Sequence, residues 1–116
     1  MSFPVWRGVA AALLLAFATA ASGHSASDAT TPSDGAVLDA PPEEIRIRFD
    51  QPIRVTMVRI TDEAGNEYDV AYDRGAATKI LIGRTESLAS GAYTVEWRGL
   101  STDGHTASGE FGFRVE

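Results

Sequence analysis

In several segments from residue 45 onward, hydrophobic residues recur at every second position, the period of a β-strand with one buried face. Such strands are predicted at 45–49, 55–61, 93–97 and 111–115, weakly at 68–72, as a short apolar run at 78–82, and as an edge strand before Pro32. The residues that the alternation turns inward are Ile45, Ile47, Phe49, Tyr93, Val95, Trp97, Phe111, Phe113 and Val115. Short strands at about ten-residue spacing, without a helical period, predict an all-β sandwich or small barrel. The pattern predicts no exposed apolar stripe, so we expect a monomer.

The N-terminal segment has the pattern of a secretory signal. Arg7 is followed by an apolar run at 9–21 and then by small residues. The run is shorter than the roughly 20 apolar residues of a membrane span. We therefore expect residues 1–23 to be a signal peptide and residues 24–116 to be one exported domain, periplasmic and not inserted in the membrane. Small residues allow cleavage after Ala20 or after Gly23, and only the second makes His24 the first residue.

The composition of the exported part excludes several functions. From His24 onward the chain carries 9 basic and 16 acidic residues, a balance that argues against nucleic acid and anionic lipid as partners. The sequence contains no cysteine, which excludes disulfides, thiolate chemistry and cysteine-based zinc sites. Stability must therefore come from a packed core.

The stretch S-T-D-G-H at 101–105 is the first candidate for chemistry. It lies in a loop predicted to span 99–109, which is long for a hairpin and is the kind of place where binding sites form. In an extended segment the side chains of Asp103 and His105 would leave on one face and reach the same ion. By itself the pair is a weak signal, because Asp103 could cap a turn while His105 stays solvated.

His24 is the second imidazole in the chain and, as a terminal residue, would offer two nitrogens, its α-amine and its Nδ1. Adding the imidazole of His105 and a carboxylate oxygen of Asp103 gives three nitrogens and one oxygen, a donor set that suits tetragonal Cu(II). Zinc accepts similar donors but prefers a tetrahedral arrangement. Met57 is the one methionine left after the signal, so no sulfur site for Cu(I) is predicted. The alternative is that His24 belongs to an unstructured leader-proximal segment.

Two long stretches of the chain resemble the CopC family of periplasmic copper-binding proteins. They are H-S-A-S-D-A-T-T-P-S-D-G with the strand up to F-D-Q-P-I, and Y-T-V-E-W-R-G-L-S-T-D-G-H-T-A-S-G-E-F-G-F. The resemblance implies a Greek-key β-sandwich or barrel of about seven strands. It also implies one Cu(II) per chain, bound by His24, Asp103 and His105, with cleavage after Gly23.

This sequence departs from the family's pattern at two places. Ala26 stands where the family often has a further histidine, and the region 53–73 holds only Met57 where some members have a methionine-rich loop. The first departure removes an optional imidazole, and the second favours a member that binds Cu(II) only.

The sequence and the resemblance together favour a non-enzymatic Cu(II) carrier or buffer in copper homeostasis and resistance, which would hand copper to a CopD-like inner-membrane transporter. One alternative is a copper-dependent oxidative enzyme with a histidine-brace site, whose sugar platform would have to come from Tyr68, Tyr72, Tyr93 and Trp97. The other alternative is a metal-free β-sandwich interaction module.

Overall fold

The computed structural model describes Ser2 and residues 27–116. His24 and the predicted signal peptide, apart from Ser2, lie outside the described residues. Within the described part, no helix is long and apolar enough to cross a membrane.

The described chain is built from eight β-strands and has no helix. They are β1 Ser27–Thr31, β2 Ala36–Leu38, β3 Glu44–Asp62, β4 Glu67–Tyr68, β5 Val70–Ala71, β6 Thr78–Thr85, β7 Gly91–Ser101 and β8 Thr106–Val115. All pairs are antiparallel except β2 with β8. The all-β prediction is confirmed, and β1 is the edge strand expected before Pro32.

Strand β3 joins the two halves of the sheet. Its first half pairs with β1 and β6, and its second half pairs with β4 and β7. The register shifts between Arg48 and Ile53, and Ile53 is opposite both Thr78 of β6 and Ser101 of β7. The sequence predicted two strands separated at Gln51-Pro52. The backbone instead stays extended through this irregular segment, as at the bends where one strand passes between two sheet layers.

The core lies between the two halves of the curled sheet. All nine residues that the alternation turned inward are buried, with 4% or less of their surface exposed. Trp97 is fully buried and meets Phe49 edge to face, with ring centroids 4.9 Å apart. These aromatic side chains pack the core rather than bind a ligand, as the alternation predicts.

Strand β6 is present as predicted but is longer. It extends to Thr85 and alternates, with Leu81 buried but Ile80 and Ile82 exposed by 45% and 42%. The apolar run therefore does not mark a strand covered on both faces. An exposed apolar pair exists where the sequence pattern predicted none.

Candidate metal site

The hairpin between β7 and β8 is tighter than the sequence predicted. The two strands stay paired down to Leu100 opposite Thr106, so the connection is four residues, 102–105, and not the eleven of 99–109. The glycines that resembled loop residues are packing positions. A Cβ on Gly99 would lie 2.6 Å from Ile53 Cγ2, and one on Gly109 would lie 2.5 Å from Trp97 Nε1.

A hydrogen-bonded turn closes this hairpin. The Gly104 N–H donates to the Ser101 carbonyl at 3.0 Å, and the Ser101 N–H donates to the His105 carbonyl at 2.9 Å. Gly104 has a φ of +87°, in the left-handed region. Ser101 and His105 thus close a three-residue loop, 102–104, within the four-residue connection. Such a loop ends in a left-handed residue, which is why glycine follows Asp103.

The turn brings Asp103 and His105 into direct contact. Asp103 Oδ2 lies 3.0 Å from His105 Nδ1, while Asp103 Oδ1 accepts the His105 N–H at 3.2 Å and the Ser101 hydroxyl. The sequence predicted that Asp103 and His105 lie together, but it did not predict the turn that holds them. A turn, and not an extended segment with side chains on one face, holds the two groups together, and Asp103 does cap that turn.

Hydrogen bonds hold the Asp103 carboxyl in its charged form. The Ser101 hydroxyl, followed by the backbone N–H of His105, lowers its pKa below the usual value for aspartate. Ser101 itself is buried, with 7% of its surface exposed. Sequence reasoning missed its part in the site, although its position two residues before Asp103, at the hairpin closure, is a signal for this capping pattern.

The side chains remain accessible to a metal. His105 is 84% exposed and Asp103 is 57% exposed. With the proton on Nδ1, Nε2 keeps a free lone pair, as in metal-binding histidines whose other nitrogen donates to a carboxylate. If a metal replaced that proton, the 3.0 Å between Nδ1 and Oδ2 would be close to the roughly 2.8 Å between neighbouring ligand atoms in a square plane with bonds of about 2.0 Å.

The pair is incomplete within the described residues. Across residues 27–116 no group of three or more histidine, cysteine, aspartate or glutamate side chains could hold a metal ion together. The described start of β1 is nevertheless close to the turn along the sheet. Ser27 is opposite Phe49, and β3 then continues to Ile53, which is opposite Ser101. The start of β1 and the β7–β8 turn therefore lie near the same segment of β3, at pairing positions that are four residues apart.

The other sequence-predicted candidates are not part of this site. Tyr93 and Trp97 are buried in the core. Tyr68 is half-buried and donates its hydroxyl to Asp62 Oδ2 at 2.8 Å. Met57 is half-buried in β3.

Comparison with known proteins identifies the family. The family model described as CopC domain matches residues 27–116. The structure of CopC from Methylosinus trichosporium OB3b is 27% identical, with a TM-score of 0.69 over 80% of this chain and 94% of that chain. A search of curated protein sequences gave no match.

Two structures of PcoC, a copper resistance protein from Escherichia coli, share the fold. The selenomethionine form is 22% identical, with a TM-score of 0.68 over 78% of this chain and 98% of that chain. The other, described as methionine rich, is 24% identical, with a TM-score of 0.65 over 81% of this chain and all of that chain. The fold, the D-G-H turn and the match of the family model over residues 27–116 lead to one conclusion: this chain belongs to the CopC family.

Proposed function

We propose that this protein is a periplasmic copper-binding protein of copper homeostasis and resistance, which holds one Cu(II) between its N-terminal histidine and the Asp103–His105 turn. The observation that carries the proposal is the turn itself. It presents an exposed imidazole whose Nδ1 lies 3.0 Å from a carboxylate oxygen, so both atoms can bind one ion that replaces the proton between them, and the carboxylate is held in its charged form. A family whose solved members include CopC and a copper resistance protein supports copper as the cargo.

The remaining donors are proposed to come from His24. It precedes Ser27 by three residues, a reach of up to about 10 Å for an extended chain. Because β1 runs antiparallel to β3, its N-terminal end points towards the part of β3 that pairs with Ser101. The α-amine and Nδ1 of a terminal His24 would close a chelate ring, and the imidazole of His105 would add the third nitrogen.

Asp103 is proposed to supply the oxygen donor and one negative charge, which offsets part of the charge of the ion. Three nitrogens and an oxygen without sulfur favour Cu(II) over Cu(I). The sequence contains no cysteine, and Met57 is half-buried in β3. We therefore assign the protein to the Cu(II)-only type.

This geometry requires a free amine on His24. Cleavage after Gly23 supplies it, whereas cleavage after Ala20 leaves Ala21, Ser22 and Gly23 in front of the histidine and removes its amine from the chelate. We accordingly propose that residues 1–23 are a signal peptide removed after Gly23 on export.

We assign a carrier or buffer function rather than an enzymatic one. An enzyme acting on polysaccharide needs a flat aromatic surface beside the metal. Four aromatic residues were considered for such a surface. Tyr93 and Trp97 are buried in the core, and the Tyr68 hydroxyl donates a hydrogen bond to Asp62. Delivery of the ion to a CopD-like membrane transporter is the proposed next step.

The test is to export the protein, determine its first residue by mass spectrometry, and measure Cu(II) affinity by competition with a chelator. His24 as first residue is expected, and His105→Ala should weaken binding by about two orders of magnitude, as loss of a ligand or its close partner does in other metal sites. Arg98→Ala, an exposed change on the adjoining strand β7, serves as the control. An N-terminus at Ala21, or an unchanged affinity in His105→Ala, would refute the proposed ligand set.

A further inference from the structure

One face of the sheet combines exposed apolar and basic side chains, and the copper site does not explain it. Ile80 is opposite Arg48 and Ile82 is opposite Arg46, so these four side chains lie together on the outer surface of β3 and β6. Arg84 is exposed at the next outward position of β6. Lys79 is one residue before Ile80, at a position of the inward-facing set, and it joins this surface because it lines a cleft together with Arg48 and Ile80. We call this surface, formed by Arg46, Arg48, Lys79, Ile80, Ile82 and Arg84, the Ile80 face.

The Ile80 face is basic on an acidic molecule. It carries four of the nine basic residues that follow His24, whereas the remainder of that region has five basic and sixteen acidic residues. Arg46 is paired with Glu44 at 2.8 Å. Arg48, Lys79 and Arg84 make no salt bridge with any described residue. Their charge is therefore available to an acidic partner.

Ile80 lines two clefts on this face. One has a volume of about 350 Å³ and is also lined by Arg48, Phe49, Asp50 and Lys79, and the other has a volume of about 330 Å³. The second cleft is lined by Leu81, Ile82 and the 73–78 segment, which includes the acidic Asp73. Exposed branched aliphatic side chains beside clefts of this size suit the side chains of a protein segment, and a flat bilayer surface would leave the clefts unfilled.

At Ile80 the backbone groups on the edge of β6 are not free to pair with an added strand. The Thr78 hydroxyl donates to the Ile80 carbonyl at 2.8 Å and accepts the Ile80 N–H at 3.1 Å. Recognition must therefore come from side chains on the face rather than from backbone pairing at Ile80.

We propose that the Ile80 face docks an acidic segment of another protein that also carries branched aliphatic side chains. The inference deepens the proposed function, on which its purpose rests, by naming the chemistry of the protein that exchanges copper with this one. The first cleft includes Phe49, the residue opposite Ser27. A segment bound there would lie beside the start of β1, three residues from His24.

The proposal can be tested on the metal-free exported protein, so its outcome does not depend on copper binding. The probe is a fluorescein-labelled nine-residue peptide in which glutamate and valine alternate. Comparison peptides replace each glutamate by lysine or each valine by serine. At low salt the glutamate–valine peptide is expected to bind with a Kd below about 1 mM, more weakly as salt is added, and the comparison peptides are not.

Surface variants locate the binding site. Ile80→Thr combined with Ile82→Thr, and separately Arg48→Glu, are expected to weaken peptide binding about tenfold. Val37→Thr changes the third exposed large hydrophobic residue, which is 61% exposed on β2, and Arg59→Glu makes the same charge change on another part of β3. Both controls are expected to bind the peptide as the unaltered protein does.

Three results would overturn the proposal. One is no binding of the glutamate–valine peptide up to about 1 mM, or equal losses in the control variants. Another is binding to phosphatidylglycerol vesicles through Ile80 and Ile82 without peptide binding, which would assign the face to a membrane. The third is a dimer in sedimentation that dissociates in the Ile80→Thr, Ile82→Thr protein without peptide binding, which would assign it to a second copy of the chain.

Discussion

The backbone conformation of one residue, Gly104, shapes the proposed metal site. Its left-handed φ lets the chain turn so that Asp103 faces the imidazole of His105 and the Ser101 hydroxyl. D-G-H could be recognised in the sequence as a unit of chemistry. The role of Ser101 could not, because it depends on which residues close the hairpin, and that is decided by the pairing of β7 with β8.

Replacing Gly104 by alanine should weaken both the fold and copper binding. A Cβ there meets no atom within 4 Å, so the cost is the strain of a left-handed alanine, about 1 kcal/mol of unfolding free energy. Gly65→Ala is the matched control, since Gly65 has a φ of +85° and equally open space. Denaturant unfolding should show similar losses for the two variants, whereas Cu(II) affinity should fall only for Gly104→Ala. Equal copper affinity in both would mean that the turn does not position the site.

Tyr68 gives a second prediction at this scale, in the alkaline range. The hydrogen bond to Asp62 raises the pKa of its phenol from 10 to about 12. A pKa raised on folding stabilises the protein fully below the unfolded value of 10, and the contribution is lost as the pH rises through about 12. Absorbance of tyrosinate should therefore show a transition near pH 12 that is missing in Tyr68→Phe. If the Tyr68→Phe protein showed the same transition near pH 12 as the unaltered protein, this assignment would be wrong.

At the scale of elements, the period-two alternation predicted the inward face of β3, β7 and β8 correctly, because one buried face is enough to fix that pattern. At β6 the apolar run predicted the strand but not which side chains face outward, because isoleucines also occupy the outer face and a run of apolar residues does not show which face is buried. The sequence pattern also overestimated the β7–β8 loop. Gly99 and Gly109 looked like turn residues, but they are strand positions where a neighbouring strand or Trp97 leaves no room for a Cβ.

Gly109→Ala tests the packing explanation. The added methyl group would lie 2.5 Å from Trp97 Nε1 and 2.8 Å from its Cε2, so the fully buried ring must move, at a cost of about 1–3 kcal/mol. Trp97 is the single tryptophan after His24, which makes its fluorescence a direct probe of the exported protein. A shifted emission and a lower melting temperature are expected, while Gly75→Ala, whose Cβ would have an ordinary 3.4 Å contact, should change neither. Unchanged stability in Gly109→Ala would mean that Gly109 is a loop position after all.

At the scale of the whole molecule, copper binding requires the start of β1 and the β7–β8 turn to lie beside the same segment of β3, where this strand crosses from one half of the sheet to the other. The sequence could not predict this meeting from periodicity, since pairing partners are set by long-range contacts. The donor chemistry of His24, Asp103 and His105 and the resemblance to the CopC family suggested it. The pairings of Ser27 with Phe49 and of Ile53 with Ser101 give it a physical basis.

Copper binding through the nitrogen donors of His24 and His105 should depend on pH. Protons compete with the metal for the terminal amine and for the imidazoles, so affinity should fall as the pH is lowered. We expect the apparent Cu(II) affinity to be at least about tenfold weaker at pH 6 than at pH 8, measured by chelator competition at each pH. A constant affinity across this range would point to carboxylate donors alone.

In the proposed site the α-amine of His24 and the Asp103–His105 turn bind the same Cu(II) ion. Paramagnetic resonance of the exported protein loaded with one equivalent of Cu(II) tests this arrangement most directly, because the hyperfine pattern counts the nitrogen ligands. Three nitrogens are predicted, falling to two in His105→Ala and also falling when one alanine is placed before His24. A spectrum that is the same in all three proteins would show that the two ends do not share the copper ion.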